Sequence, residues 1–246
     1  MSASKHLPAL EPAGIDGWMV RLFDGIAETN LPWLTALTRD CEQAFGQALV
    51  DLVPSYTTLL VIFDPVQIST WEARRMLLDL LATLAPDDAG QENGELHELA
   101  TWYDPSVGPD LARVAERSDL SVDQVIDLHS QRDYRVFALG FAPGFAFMGL
   151  LDNRLDCPRL DTPRQKVPAG SVAMAGQQTA AYPTVTPGGW NLVGRTSARL
   201  FDRNRDGFSL LKVGDRVRFV SVDRQTFERE GGDTTPAEST PAELSS

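Results

Sequence analysis

The sequence predicts an α+β fold, in which a small α/β domain precedes a mainly β domain. Up to about residue 95, strand-like and helix-like hydrophobic patterns alternate, whereas beyond residue 133 the apolar runs are short and β-like. Glycine and proline interrupt those later runs every few residues, which is typical of a barrel or sandwich with tight turns. A length of 246 residues suits one large or two modest domains.

The first domain is predicted over residues 15–95, with its elements in the order βαββαβ of ferredoxin-like domains. Ser69 and Glu72 have the spacing of a capping box, so a helix is expected to begin there, and Pro86 ends it. The elements are, in order, a strand at 18–23, a helix at 31–45, strands at 49–53 and 58–63, the capped helix, and a last strand at 96–103.

The second domain is predicted over residues 96–224 and is mostly β. Pro109 and the Ser121–Gln124 capping box each indicate the start of a short helix, and strands are expected at 134–141, 171–175, 191–195 and 216–222. The first 14 residues are predicted to be flexible. Residues 225–246 are predicted to be a disordered acidic tail, because Thr, Pro, Ser and Gly dominate them and bury little apolar surface.

Composition narrows the class of protein and its partners. A net charge of −12 repels nucleic acid and anionic membrane, so neither is an expected partner. No apolar run approaches the roughly 20 residues of a membrane span, and the first residues lack the apolar core of a signal peptide. We therefore expect a cytoplasmic protein with free thiols at Cys41 and Cys157. Three histidines, with no ligand spacing, predict no metal site, and no phosphate-binding P-loop is present.

Residues 139–196 are the stretch most suited to a small-ligand site, because rigid turns there carry polar and aromatic side chains. Arg159, Arg164 and Lys166 lie in a segment stiffened by three prolines, where they could hold a carboxylate or a phosphate. Ion pairs with Asp156 and Asp161 are an equally good interpretation of these three cations.

Further polar candidates follow the basic segment. Ser171, Gln178 and Thr179 lie among small residues, and we favour contacts to a ligand over turn capping. Arg195 is a cation in apolar surroundings, so it needs either a structural carboxylate such as Asp202 or a bound anion.

Aromatic side chains and a glycine pair complete the predicted site. Gly188 and Gly189 make a tight turn before Trp190, which either closes one end of a barrel or stacks on a ligand. Phe145 and Tyr182 are the other aromatic candidates for ligand contact.

Four sequence segments resemble one known family, which comprises the B subunit of 5-oxoprolinase, the Kip-type sporulation-kinase inhibitor and allophanate hydrolase subunit 1. They read GFAPGFAFMGLLD (140–152), TPRQKVPAGSVAMAGQQT (162–179), YPTVTPGGWNLVGRT (182–196) and LFD (200–202). Weaker similarity extends the resemblance over about residues 16–222. It implies a cyclophilin-like β-barrel in the second half and a small α/β domain in the first.

The resemblance also implies a function. It predicts one component of an ATP-dependent 5-oxoprolinase, inactive without partners homologous to the A and C subunits, that helps activate and open a small lactam to give glutamate. The resemblance then implies catalytic anion contacts by Arg164, Lys166 and Arg195. It also implies polar substrate contacts by Gln178 and Thr179. ATP is the implied cofactor, bound by this chain or by the complex.

Two other functions remain open from the sequence. One is a non-catalytic inhibitor that binds a Pro-containing segment of a histidine kinase through the barrel cleft. The other is a component of a carboxyltransferase or allophanate hydrolase that acts with a separate biotin carrier. Residues 102–107 also depart from the family pattern Cys-Tyr-Gly-Gly-Glu-Phe, and Asp104 is the residue there that can replace the lost charge.

Overall fold

The structure, a computed structural model, describes residues 7–87 and 94–238. It divides into two compact units, Met1–Gly94 and Glu95–Ser246. Parts of two sequence predictions lie outside the described residues: the flexible start over residues 1–6 and the last tail residues, 239–246.

The first unit is a four-stranded antiparallel sheet with two helices, and its strands lie in the order Ala9–Pro12 (β1), Gly17–Arg21 (β2), Thr58–Phe63 (β4) and Leu49–Pro54 (β3). Every second residue of β4 is buried, as expected for a sheet with one face on a core. Ser69 and Glu72 form the predicted capping box. The elements are β1 (Ala9–Pro12), β2 (Gly17–Arg21), α1 (Leu31–Phe45), β3 (Leu49–Pro54), β4 (Thr58–Phe63) and α2 (Thr70–Thr83), with 3₁₀ turns at Glu28–Asn30 and Gly46–Ala48.

One strand of this unit differs from the prediction. The sheet position beside β2 that a ferredoxin-like order gives to its last strand is filled by β1. Residues 7–14, predicted to be flexible, therefore include an ordered edge strand. The segment at 96–103 instead forms β5 (Leu96–Trp102) in the second unit, because its backbone pairs with strands far along the chain. Hydrophobic periodicity identifies a strand but does not identify its neighbours.

The second unit is a closed seven-stranded barrel, which confirms the predicted α+β fold with a barrel. The elements that follow β5 are α3 (Leu111–Ser118), α4 (Val122–Ser130), β6 (Asp133–Leu139), β7 (Ala146–Gly149), a 3₁₀ turn (Asn153–Leu155), β8 (Arg164–Val167), β9 (Ser171–Ala175), β10 (Gln178–Ala181), β11 (Thr186–Gly188), β12 (Asn191–Thr196), β13 (Arg216–Ser221) and α5 (Arg224–Arg229). The barrel strands lie in the order β10-β7-β6-β13-β5-β12-β9, and a separate two-stranded ribbon pairs β11 with β8.

The two faces of β9 belong to different apolar clusters. Val172 and Met174 pack with Val136, Val193 and Phe219 in the core that fills the barrel. Side chains alternate along a strand, so the intervening residues point outward. Ala173 and Ala175 accordingly join an outer cluster with Val167 of the ribbon, together with Phe145, Tyr182, Trp190 and Leu192. The predicted aromatic candidates therefore lie on the outer face of the barrel.

Residues 225–238, part of the segment predicted to be disordered, include most of α5 and make packing and hydrogen-bond contacts. Phe227 of α5 is fully buried and its ring centroid lies 5.6 Å from that of Trp102. Farther on, the Ala237 amide donates to the Ser106 carbonyl at 2.8 Å, and Ala237 itself is buried. A composition poor in apolar residues did not indicate these contacts, because they depend on one phenylalanine and on backbone hydrogen bonds.

Candidate functional site

A small cavity of about 120 Å³ opens on the outer face of the barrel. Five of the residues that the sequence singled out line it: Phe145, Tyr182, Gly188, Gly189 and Trp190. The other lining residues are Phe141, Phe147 and Arg159. We refer to these eight residues as the aromatic pocket. Its chemistry is that of a slot for a small, flat group with a cation at its edge.

Edge-to-face contacts hold the rings of the aromatic pocket in fixed orientations. The Phe145 ring centroid lies 5.2 Å from that of Tyr182 and 5.9 Å from that of Trp190, with interplanar angles of 81° and 86°. Phe141 stacks edge-on against Phe145 at 5.2 Å, yet it is 65% exposed and has a φ of +67°. A phenylalanine in the left-handed region is held there by its surroundings, which is common at ligand sites.

Glycine is required at one of the two turn positions. A Cβ on Gly188 would lie 2.3 Å from the Tyr182 hydroxyl oxygen, whereas a Cβ on Gly189 would meet Pro163 at an ordinary 3.5 Å. The ribbon strand β11 can therefore approach Tyr182 only because residue 188 has no side chain. The lack of a side chain at Gly188 therefore determines how closely β11 packs against Tyr182 in the aromatic pocket.

Arg159 connects the aromatic pocket to a second feature. Its guanidinium lies over the Trp190 ring, with Cζ 5.8 Å from the centroid. The same arginine lines an open polar groove of about 490 Å³ with Arg113, Glu116, Arg117, Pro158 and Asp161. Its place in the basic, proline-rich segment was the sequence signal for this residue, but that signal did not separate it from Arg164 and Lys166.

Arg164 and Lys166 do not line the aromatic pocket. Arg164 is 6% exposed, and its Nη2 donates to Asp110 Oδ1 at 2.8 Å. The second oxygen of Asp110 accepts from the Leu192 amide at 2.7 Å. Lys166 is exposed on β8. The geometry therefore gives Arg164 a structural ion pair and separates it from the solvent-facing Lys166.

Arg195 is buried beneath the C-terminal segment. Its exposed fraction is 1%, and Nη1 donates to the carbonyl oxygens of Asp233, at 2.8 Å, and Thr235. The Asp233 carboxylate lies 3.8 Å from Nη1. Asp202, which the sequence analysis named as a possible partner of Arg195, instead pairs with Arg199 at 3.2 Å.

Thr179 belongs to a hydrogen-bonded chain of side chains inside the barrel. Its hydroxyl donates to the Ala173 carbonyl at 3.1 Å and so accepts from His129 Nε2 at 2.8 Å. His129 Nδ1 then accepts from the Tyr103 hydroxyl at 2.7 Å. Burial lowers the pKa of His129 to about 3, so the imidazole stays neutral. Thr179, which the sequence predicts to contact a ligand, is thus hydrogen-bonded inside the barrel unit to His129 and to the Ala173 carbonyl.

The remaining polar candidates differ in burial. Gln178 is half-buried on β10, between β7 and β9. Ser171 is fully buried, and its hydroxyl has no hydrogen-bond partner among the residues described. In the segment that departs from the family pattern, Asp104 accepts hydrogen bonds from the Ser106 amide and hydroxyl at 2.9 and 2.6 Å. That carboxylate therefore stabilises a local turn.

Comparison with known families agrees with this architecture. Residues 8–211 match the family described as "Carboxyltransferase domain, subdomain C and D". The urea carboxylase of Kluyveromyces lactis has the same fold, with a TM-score of 0.74 at 19% identity, over 92% of this chain and 23% of that protein. The fold is thus that of a carboxyltransferase-type domain.

Relatives with higher identity define the family more narrowly. The 5-oxoprolinase B subunit of Bacillus subtilis is 35% identical over 228 residues, which cover 89% of this chain and 94% of that protein. The Escherichia coli O157:H7 protein of the same name is 41% identical over 71% of this chain and 82% of its own. The structure of TTHA0988 superposes with a TM-score of 0.74 at 37% identity; the chain spans about two fifths of its length. The chain belongs to the family of 5-oxoprolinase B subunits.

Within residues 7–87 and 94–238, no helix is long and apolar enough to cross a bilayer.

Proposed function

We propose that this chain is the B subunit of an ATP-dependent 5-oxoprolinase and that it helps to activate and open the lactam ring of 5-oxoproline to give glutamate. Relatives of that name at 35–42% identity over most of the chain support the proposal. Homologues of the A and C subunits complete the active enzyme, and without them this chain is inactive.

One observation carries the assignment of the substrate site. Arg159 lies over Trp190 at the edge of a cavity of about 120 Å³. That volume is well below the roughly 300–1,000 Å³ of sites for drug-sized ligands, so it suits a single small ring. A five-membered lactam stacks between the aromatic side chains, and its carboxylate pairs with the guanidinium of Arg159.

The chemistry of ring opening explains why such a slot is useful. A lactam carbonyl is a poor electrophile, because the nitrogen lone pair delocalises into it. ATP supplies the phosphoryl group that activates the carbonyl oxygen, and water then opens the ring. The aromatic pocket is too small to hold the nucleotide together with the lactam, and we assign ATP to the assembled complex. The residues of this chain orient the ring and hold its carboxylate, which leaves one edge of the lactam available to the other components of the complex.

The test uses this chain assembled with its A and C homologues, with 5-oxoproline-dependent ATP hydrolysis as the readout. We expect activity in the assembled wild type, and a KM for 5-oxoproline raised roughly tenfold in Arg159→Met, since one charge-assisted contact is lost. Arg154→Met is the matched control, because Arg154 is an exposed arginine paired with Asp152 at 2.9 Å.

Two results would contradict the proposal at different levels. An inactive wild-type complex would reject the 5-oxoprolinase function. An active complex in which Arg159→Met has the same KM as Arg154→Met would reject the aromatic pocket as the substrate site and leave the function standing.

A second candidate function is binding of a Pro-containing peptide, as in a kinase inhibitor. The favouring observation is that Phe141 is 65% exposed at the rim of the aromatic pocket, which adds apolar surface beyond the cavity itself. Calorimetric titration with a short Pro-containing peptide tests it. Binding that is lost in Phe141→Ser, together with an inactive complex, would favour this function over the enzyme.

A further inference from the structure

The Arg195 guanidinium has two nitrogens that no hydrogen-bond acceptor in the described part of the chain contacts. Nη1 donates to the carbonyls of Asp233 and Thr235, but Nε and Nη2 have no partner there. These two nitrogens lie on one edge of the guanidinium plane, the edge that binds both oxygens of a carboxylate side by side. A fully buried cation with that edge unpaired is unusual, because unpaired buried donors are costly.

A third unpaired group lies on the neighbouring strand. Ser171 on β9 is directly opposite Arg195 on β12 in the antiparallel register. Opposite residues of an antiparallel pair project from the same face of the sheet. Ser171 is fully buried, and among the described residues its Oγ also lacks a partner. Arg195 and Ser171 therefore present three unsatisfied polar atoms on the outer face of the barrel.

The segment over this site is short and irregular. Residues 233–238 contain no helix or strand, and they are attached by four backbone hydrogen bonds, by the ion pair of Asp233 with Arg195 and by the packing of Ala237 in the outer apolar cluster. Apart from the two bonds to Arg195, the Ala237 amide donates to the Ser106 carbonyl, and Arg164 Nε donates to the Glu238 carbonyl at 2.9 Å. Local opening of such a segment requires much less free energy than unfolding of the barrel.

We propose that Arg195 and Ser171 form a binding site for a small carboxylate, which residues 233–238 cover in the free chain and leave when the carboxylate binds. The two backbone carbonyls are neutral acceptors on Nη1, and the Asp233 carboxylate lies 3.8 Å from that same nitrogen, so none of these groups pairs with Nε or Nη2. A carboxylate supplies a negative charge and two oxygens to the unpaired edge, and it accepts from the Ser171 hydroxyl as well, so it is the stronger partner. Neither Arg195 nor Ser171 lines the aromatic pocket, but Ala237 of the covering segment packs in the same outer cluster as Phe145, Tyr182 and Trp190.

Hydrogen–deuterium exchange of the full-length chain tests the proposal, with acetate as the probe and neutral acetamide as its control. Acetate is expected to accelerate exchange of the Ala237 amide in a saturable manner, whereas acetamide has no effect. Ser171→Ala should require roughly tenfold more acetate for the same acceleration, because one hydrogen bond to a charged group is lost. Arg195→Lys should not respond, since lysine lacks the two-pronged edge.

The Ser171→Ala variant tests the proposal even if Arg195→Lys does not fold. Its thermal midpoint should equal or exceed that of the wild type, because the removed hydroxyl has no partner among the described residues. Unchanged Ala237 exchange in acetate, an equal response to acetamide, or an identical acetate response in Ser171→Ala would each overturn the proposal.

Discussion

Asp110 and Arg164 form an ion pair with 2.8 Å between Oδ1 and Nη2, and each side chain is only 3% exposed. Removing one member leaves the other charge buried without its partner. We expect Arg164→Met to lower the free energy of unfolding by about 3–5 kcal/mol in urea denaturation. Lys166→Met, two residues along the same strand but exposed, should change it by less than about 0.5 kcal/mol. Equal stabilities of the two variants would show that the Arg164 ion pair contributes little to the fold.

The two glycines before Trp190 should respond differently to the same substitution. Gly188→Ala brings a methyl group to 2.3 Å from the Tyr182 hydroxyl and must displace that ring, whereas Gly189→Ala makes an ordinary contact with Pro163. We expect Gly188→Ala to destabilise the chain by about 1–3 kcal/mol and to weaken 5-oxoproline-dependent activity of the complex. Gly189→Ala is the control, and it should retain both properties. A fully active Gly188→Ala complex would mean that Tyr182 is not needed in its present position.

His129 should make stability depend on pH in the acid range. Its pKa is about 3 in the folded chain and about 6.5 when unfolded. Between those values the unfolded state binds the extra proton, so the free energy of unfolding falls as the pH drops below 6.5. The loss from this residue is about 2 kcal/mol at pH 5 and none above about pH 7.5.

His129→Gln is the matched variant for that measurement. Glutamine retains a donor and an acceptor but does not titrate, so the difference in unfolding free energy between wild type and variant should shrink from pH 7 to pH 5. A difference that stays constant over this range would show that His129 does not carry the pH dependence.

Both cysteines should resist thiol reagents in the folded chain. Cys41 and Cys157 are fully buried, and burial raises the pKa of both thiols, to about 12 for Cys41. The reactive thiolate is therefore scarce and inaccessible. We expect no labelling by Ellman's reagent in native buffer and labelling of two thiols in guanidinium chloride. Rapid native labelling of either thiol would contradict the packing around it.

Much of the fold could be read from local patterns. The capping boxes at Ser69 and Ser121 mark true helix starts, and the strands around residues 171–175 and 191–195 form as predicted. Leu96–Trp102 shows the limit of such patterns. Its residues indicate a strand, but its partners, β12 and β13, are fixed by tertiary packing.

The candidate site was also predictable from the sequence only in part. Five of the eight residues that line the aromatic pocket are aromatic side chains or turn glycines that the sequence singled out, because they lie in one turn-rich segment. Charged residues were harder to interpret. Arg159, Arg164 and Lys166 look equivalent in sequence, and only the position of Asp110 distinguishes the buried arginine from the one at the pocket edge. The partner carbonyls of Arg195 belong to a segment whose composition predicted disorder.

The pairing of β5 has a consequence for synthesis of the chain. This first barrel strand lies between β12 and β13, and its parallel pairing with β13 joins residues from the two ends of the second unit. When β5 leaves the ribosome, neither β12 nor β13 has been translated. Both edges of β5 therefore remain unpaired, whereas the first unit can already collapse. We expect β5 to stay exposed longest when translation is slow late in the chain. Nascent chains that halt before residue 191, where β12 begins, should therefore depend most on chaperones.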